Sequence, residues 1–91
     1  MQRPDSDMEY LLTFSSFYKA MYARDKLLER GIPSQQRRVP AQLLRSCGQA
    51  LYITGYDPES ILAVLSENGI DTKGLFRIIR NRGKPEYQQL V

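Results

Sequence analysis

The chain has no histidine, no tryptophan and a single cysteine among its 91 residues. Without histidine, the usual general base of a nucleophilic triad is missing. A zinc site normally draws on several Cys or His ligands, so one chain alone does not build one, and neither metal nor cofactor is expected. A lone cysteine forms no intrachain disulfide, which points to a reducing compartment. The acids are single and scattered, with no pair at a spacing that suggests glycosidase or metal chemistry, and no Gly-rich phosphate loop occurs. No run approaches the ~18 apolar residues that cross a bilayer. The opening MQRPDSDMEY lacks the apolar core of a signal peptide. Together these features read as a soluble, cytoplasmic protein that acts without a membrane, and as a binding module more than an enzyme.

What is present suffices for one small domain. Apolar residues make up 42% of the chain, enough to exclude a disordered composition. A chain of this length buries only roughly 60% of the surface its unfolded form exposes, so stability is modest. A homodimer would cover leftover apolar surface. Residues 1–76 hold nine Lys/Arg and nine Asp/Glu, so the net charge of +3 comes from Arg77, Arg80, Arg82 and Lys84 against Glu86. Four cations at one end are a weak signal, and nucleic acid is disfavoured as a partner relative to simple solubility.

Along the chain, residues 1–8 are polar, contain Pro4, and are expected to fray. Glu9 to Phe14 (EYLLTF) reads as a central strand, apolar on both faces. Ser15 or Ser16 can cap a helix whose stripe is Phe17, Ala20, Met21, Ala23, Leu27 and Leu28, ending at Gly31 with Pro33 beyond. Ser34 to Val39 (SQQRRV) is almost wholly polar and fits only an edge strand or a loop. Residues 41–45 suggest a helical turn. Gln49 to Thr54 (QALYIT) reads as a second apolar strand. Asp57-Pro58-Glu59 then starts a helix with a cap, an N1 proline and an acid at the positive end of the dipole. Ile61, Leu62, Val64 and Leu65 form its buried stripe, and Asn68-Gly69 ends it. Leu75 to Ile79 is the last strand, and residues 80–91 read as a basic tail.

This order, with right-handed crossovers, predicts an α+β fold over residues 9–79. The expected form is a ferredoxin-like βαββαβ sandwich, a four-stranded antiparallel sheet with two helices on one face. In it the first and third strands are central and the second and fourth lie at the edges.

One constellation carries chemistry. Cys47 sits between Ser46 and Gly48, just ahead of a central strand. Gly48 leaves room for something to approach the sulfur. Arg45 is two residues away, and Arg37 and Arg38 lie on the neighbouring segment. A positive charge near a thiol favours thiolate, lowering its pKa from about 8.5. The competing reading is that Cys47 packs as a small hydrophobe, in a small homodimeric interaction or regulatory module. Tyr10, Phe14 and Tyr52 raise a further alternative, because strand aromatics can stack bases. The signature of RNA-recognition domains is absent from the third strand, so core filling, or cover for the second sheet face in a dimer, is the reading preferred for these rings.

The chain also resembles the small bacterial and archaeal proteins known as selenium/sulfur carrier-like, a domain family of otherwise unknown function. The matching pieces are Tyr10-Leu11-Leu12-Thr13-Phe14-Ser15-Ser16, Gly31-Ile32-Pro33, Val39-Pro40, Ser46-Cys47-Gly48 with Ala50-Leu51, Glu67-Asn68-Gly69-Ile70, and Gly74-Leu75-Phe76-Arg77-Ile78. The resemblance covers roughly residues 9–79. It implies that Cys47 accepts sulfur or selenium as a persulfide or selenopersulfide, with Ser46 and Gly48 as its loop, and passes the atom to a partner enzyme. The implied partners are a desulfurase-like donor and an acceptor protein. The family pattern has an Arg after the proline where this chain has Ala41, which leaves Arg45 or Arg38 to activate the thiol, or a weaker activation.

Overall fold

The computed structural model describes residues 8–43 and 48–91. The elements are β1 (Glu9–Phe14), α1 (Phe17–Glu29), β2 (Gln35–Arg38), β3 (Gln49–Thr54), α2 (Pro58–Glu67), β4 (Gly74–Asn81) and β5 (Lys84–Gln89). The frayed start expected for residues 1–8 falls almost wholly outside the described residues. So do three of the proposed site residues, Arg45, Ser46 and Cys47.

Both helices start where local chemistry directs. The Ser16 side chain accepts a hydrogen bond from the Lys19 N–H at 3.1 Å, and the Asp57 carboxylate accepts one from the Ser60 N–H at 3.0 Å. Each satisfies an N–H that has no partner inside its helix. Pro58 occupies the first helical position, where no N–H is needed.

The strands form one antiparallel sheet in the order β2-β3-β1-β4-β5, with every neighbouring pair antiparallel. β1 and β3 are interior strands and the polar β2 is an edge, as their residue patterns required. The sheet has five strands, which corrects the expected four. Residues 80–91 complete β4 and supply β5, so β4 is not an edge. Arg82 and Gly83 turn the chain, both at positive φ (53° and 81°). That is the two-residue hairpin geometry whose twist matches the flanking strands. Pro85 lies on β5, an outer strand, where a missing ladder N–H is tolerated.

Side-chain alternation along the strands divides the core in two. On one face Tyr10, Leu12, Phe14, Leu51, Ile53 and Leu75 pack against Ala20, Ala23 and Leu27 of α1 and Ile61, Val64 and Leu65 of α2. Tyr10 and Phe14 are thus buried core residues, not a stacking surface. Among the described residues no helix covers the other face. There Leu11, Ala50 and Ile78 are buried beneath Tyr52, Phe76 and Tyr87, with Val39 and Leu43 at one end.

Candidate functional site

Register decides what meets at the end of the sheet where β1 stops and α1 starts. Phe14 pairs with Gln49 and Thr13 with Gly74. Gly48, the residue next to Cys47 in the chain, and Lys73 are therefore drawn to the same end from segments far apart in sequence. Backbone bonds fix them. The Lys73 N–H donates to the Thr13 carbonyl at 2.8 Å, the Thr72 hydroxyl donates to the same carbonyl at 2.7 Å, and the Val39 N–H donates to the Gly48 carbonyl at 3.3 Å. After β2, Pro40 to Leu43 makes a turn closed by a 2.9 Å bond from the Leu43 N–H to the Pro40 carbonyl.

These segments enclose a cleft of about 490 Å3. Thr13 and Ser15 line it from the end of β1, Gln42 and Leu43 from the turn after β2, Gly48 from the approach to β3, and Lys73, Phe76 and Gln89 from the far side. Gly74 shapes it. A Cβ there would stand 2.9 Å from Phe76 Cε1 and 3.3 Å from Gln89 Nε2, so only glycine lets that ring lie across its own strand. Lys73 is the only charged residue among the described residues of the lining. A cation lowers the cost of an anion in the cleft, and a thiolate or persulfide is such an anion.

The residues selected from sequence fare differently. Gly48 lines the cleft. Arg38 is the last residue of β2, exposed, in register with Gln49. Alternation puts it on the helix-covered face, opposite Val39, so it does not join the cleft. Arg37 is also directed elsewhere, lying 5.4 Å over the Tyr52 ring. Lys73, with Gln42 and Gln89 as polar neighbours, was not singled out from sequence. Lys73 sits in a polar turn, and only the β1–β4 register brings it beside Gly48.

A second cleft of about 400 Å3 opens at the other end of the same open face, lined by Glu9, Ser34, Gln35, Arg37, Tyr52 and Arg80 among others. Arg80 grips the Glu9 carboxylate with two hydrogen bonds of 3.0 and 3.1 Å. Burial pushes the Tyr52 phenol pKa up, the neighbouring Tyr87 phenol pushes it further, and Arg37 and Arg80 pull it partly back. Among the described residues no three His, Cys, Asp or Glu side chains gather as a metal site, and no helix is long and apolar enough to cross a membrane.

No curated protein matches the chain at a significant level. One family model does match, described as "Putative Se/S carrier protein-like", and it spans residues 9–77, from the first residue of β1 into β4. That stretch includes both helices, the cleft-lining segments up to Phe76, and Cys47 itself, so the chain belongs to the Se/S carrier protein-like family.

Proposed function

We propose that this protein carries sulfur or selenium as a persulfide or selenopersulfide on Cys47. In the transfer, the Cys47 thiolate attacks the outer sulfur of a donor persulfide. A new S–S bond forms to Cys47, the donor's S–S bond breaks, and the donor leaves as a thiolate that takes up a proton. The number of electrons in the pair is unchanged, so no external oxidant or reductant is needed, and the selenium case balances in the same way. Delivery to an acceptor protein is the same displacement with the roles exchanged. Such a carrier needs one reachable thiol and no acid–base partner, which suits a chain without histidine. The fold is read as a ferredoxin-like sandwich with β5 added, and the protein as cytoplasmic.

The observation that carries this reading is the family match across residues 9–77. The cleft supports it: Gly48, adjacent to Cys47 in the chain, shares its lining with Lys73. The test is loading by a cysteine desulfurase and its cysteine substrate, read by mass spectrometry as one added sulfur atom on Cys47. Wild-type protein should load, and Cys47→Ser should not. Lys73→Gln should slow alkylation of the thiol a few-fold near neutral pH while leaving it unchanged at high pH, where the thiolate is fully formed. Failure to load, with a thiol that reacts only after unfolding, would leave Cys47 structural and end the carrier reading.

A further inference from the structure

The helix-free face of the sheet has a chemistry that sulfur carriage does not use. Its aliphatic residues are already shielded, with Leu11 and Ala50 fully buried and Ile78 only 5% exposed. What remains toward solvent is aromatic and polar: the partly exposed rings of Tyr52, Phe76 and Tyr87, one each on β3, β4 and β5. Partly exposed rings over a sheet match what unstacked bases use as a platform.

Charge agrees. The strand residues of this face include two cations, Arg37 and Arg80, and one acid, Glu9, whose carboxylate Arg80 already holds. Ser34 adds a separate indication. Its hydroxyl is buried and has no hydrogen-bond partner among the described residues, and the residue lines the cleft beside Arg37. A phosphate in that cleft would meet the Arg37 guanidinium. At the opposite end of the face Lys73 stands in the first cleft. Tyr52 and Phe76 are each in register with Leu11, on either side of β1, so two strand spacings, roughly 10 Å, separate their positions. A single mononucleotide would occupy only one end. A polymer with phosphates toward Arg37 and Lys73 and bases over the rings uses the whole face.

We infer that the open sheet face binds a short single-stranded RNA segment, stacked on Phe76, Tyr87 and, once Arg37 swings from its ring to a phosphate, Tyr52, and held by phosphate contacts to Arg37 and Lys73. The site does not depend on the thiol. The test is fluorescence anisotropy of the full chain with a labelled oligoadenylate of about six nucleotides. Binding should weaken with salt, with a log–log slope of about −1.4 for two phosphate contacts. Tyr52→Leu keeps cover over Leu11 but removes the ring, and should cost about tenfold or more in affinity; Tyr52→Phe keeps the ring and should bind like wild type. Arg37→Gln should weaken binding and flatten the salt slope. Absence of binding at low salt, equal affinity for duplex RNA or for adenosine monophosphate, or an unaffected Tyr52→Leu variant would each overturn the inference. Alkylation of Cys47 should proceed in Tyr52→Leu at the wild-type rate, so failure here and failure of the carrier reading are separate results.

Discussion

Replacing Gly74 with alanine tests the packing that shapes the first cleft. The added methyl would stand 2.9 Å from Phe76 Cε1, 3.3 Å from Phe76 Cζ and 3.3 Å from Gln89 Nε2. Carbon atoms pack best at about 3.5–4.0 Å, so the ring edge has to retreat by more than half an ångström. The Phe76 ring packs against the cluster of Leu11, Ala50 and Ile78, which leaves it little room to retreat. Overpacking of this kind costs about 1–3 kcal/mol. The lower entropy of an unfolded chain with Ala in place of Gly returns about 0.4–1 kcal/mol. The net expectation is destabilisation of about 1–2 kcal/mol. For a domain of this size that lowers the melting temperature by about 4–16 °C. Urea unfolding followed by circular dichroism gives the number, and an unchanged m-value would show that the surface exposed on unfolding is the same. In a Phe76→Leu background the same substitution should cost clearly less, because the clashing ring atoms are gone. A Gly74→Ala protein as stable as wild type, or a cost undiminished by Phe76→Leu, would refute the packing argument.

Other consequences are simpler to state. Asp57→Ala removes an acceptor for both the Ser60 N–H at 3.0 Å and the Ser60 hydroxyl at 2.7 Å. It should destabilise the protein by about 1 kcal/mol in urea titration, with Asp57→Asn recovering most of the loss. Leu27, fully buried where α1 meets the sheet, should cost about 2–5 kcal/mol when cut to alanine, and the same titration measures it. Because the Tyr52 pKa is raised, the fold favours the neutral phenol. Its contribution is complete below the ordinary phenol value of about 10 and erodes as pH climbs from there toward the raised one. Between about pH 9 and pH 11, unfolding midpoints of wild type should therefore fall more steeply than those of Tyr52→Phe; parallel curves would contradict the assignment.

Much of the secondary structure was legible because its signals are local. The Asp57-Pro58-Glu59 start, the Ser16 cap and most of the apolar stripes depend on residues within a few positions of each other, while Phe17 and Leu28, expected in the α1 stripe, are exposed. The polar β2 could only be an edge, and it is one. β5 was not legible, since Lys84-Pro85-Glu86 shows the polarity of a tail and a proline that weakens a strand pattern. Its one local sign was Gly83 after Asn81-Arg82, a hairpin turn short of the usual Asn-Gly or Asp-Gly pair. Tyr10, Phe14 and Tyr52 looked alike as strand aromatics. Which face each takes depends on parity along the strand and on where the helices settle, and only Tyr52 falls on the open face.

The sequence by itself determined the lack of histidine, the single thiol, the two capped helices and the apolar central strands, because composition, capping and periodicity act at short range. The tertiary structure alone decided that Lys73 and Gly48 share a cleft, that Arg37 and Arg38 turn away from it, and that β5 closes the β4 edge. Those relations rest on strand order and on register, and a shift of one residue in register moves every side chain to the other face. Pairing across β1 joins Thr13 to Gly74 and Phe14 to Gln49, over separations that no local pattern spans.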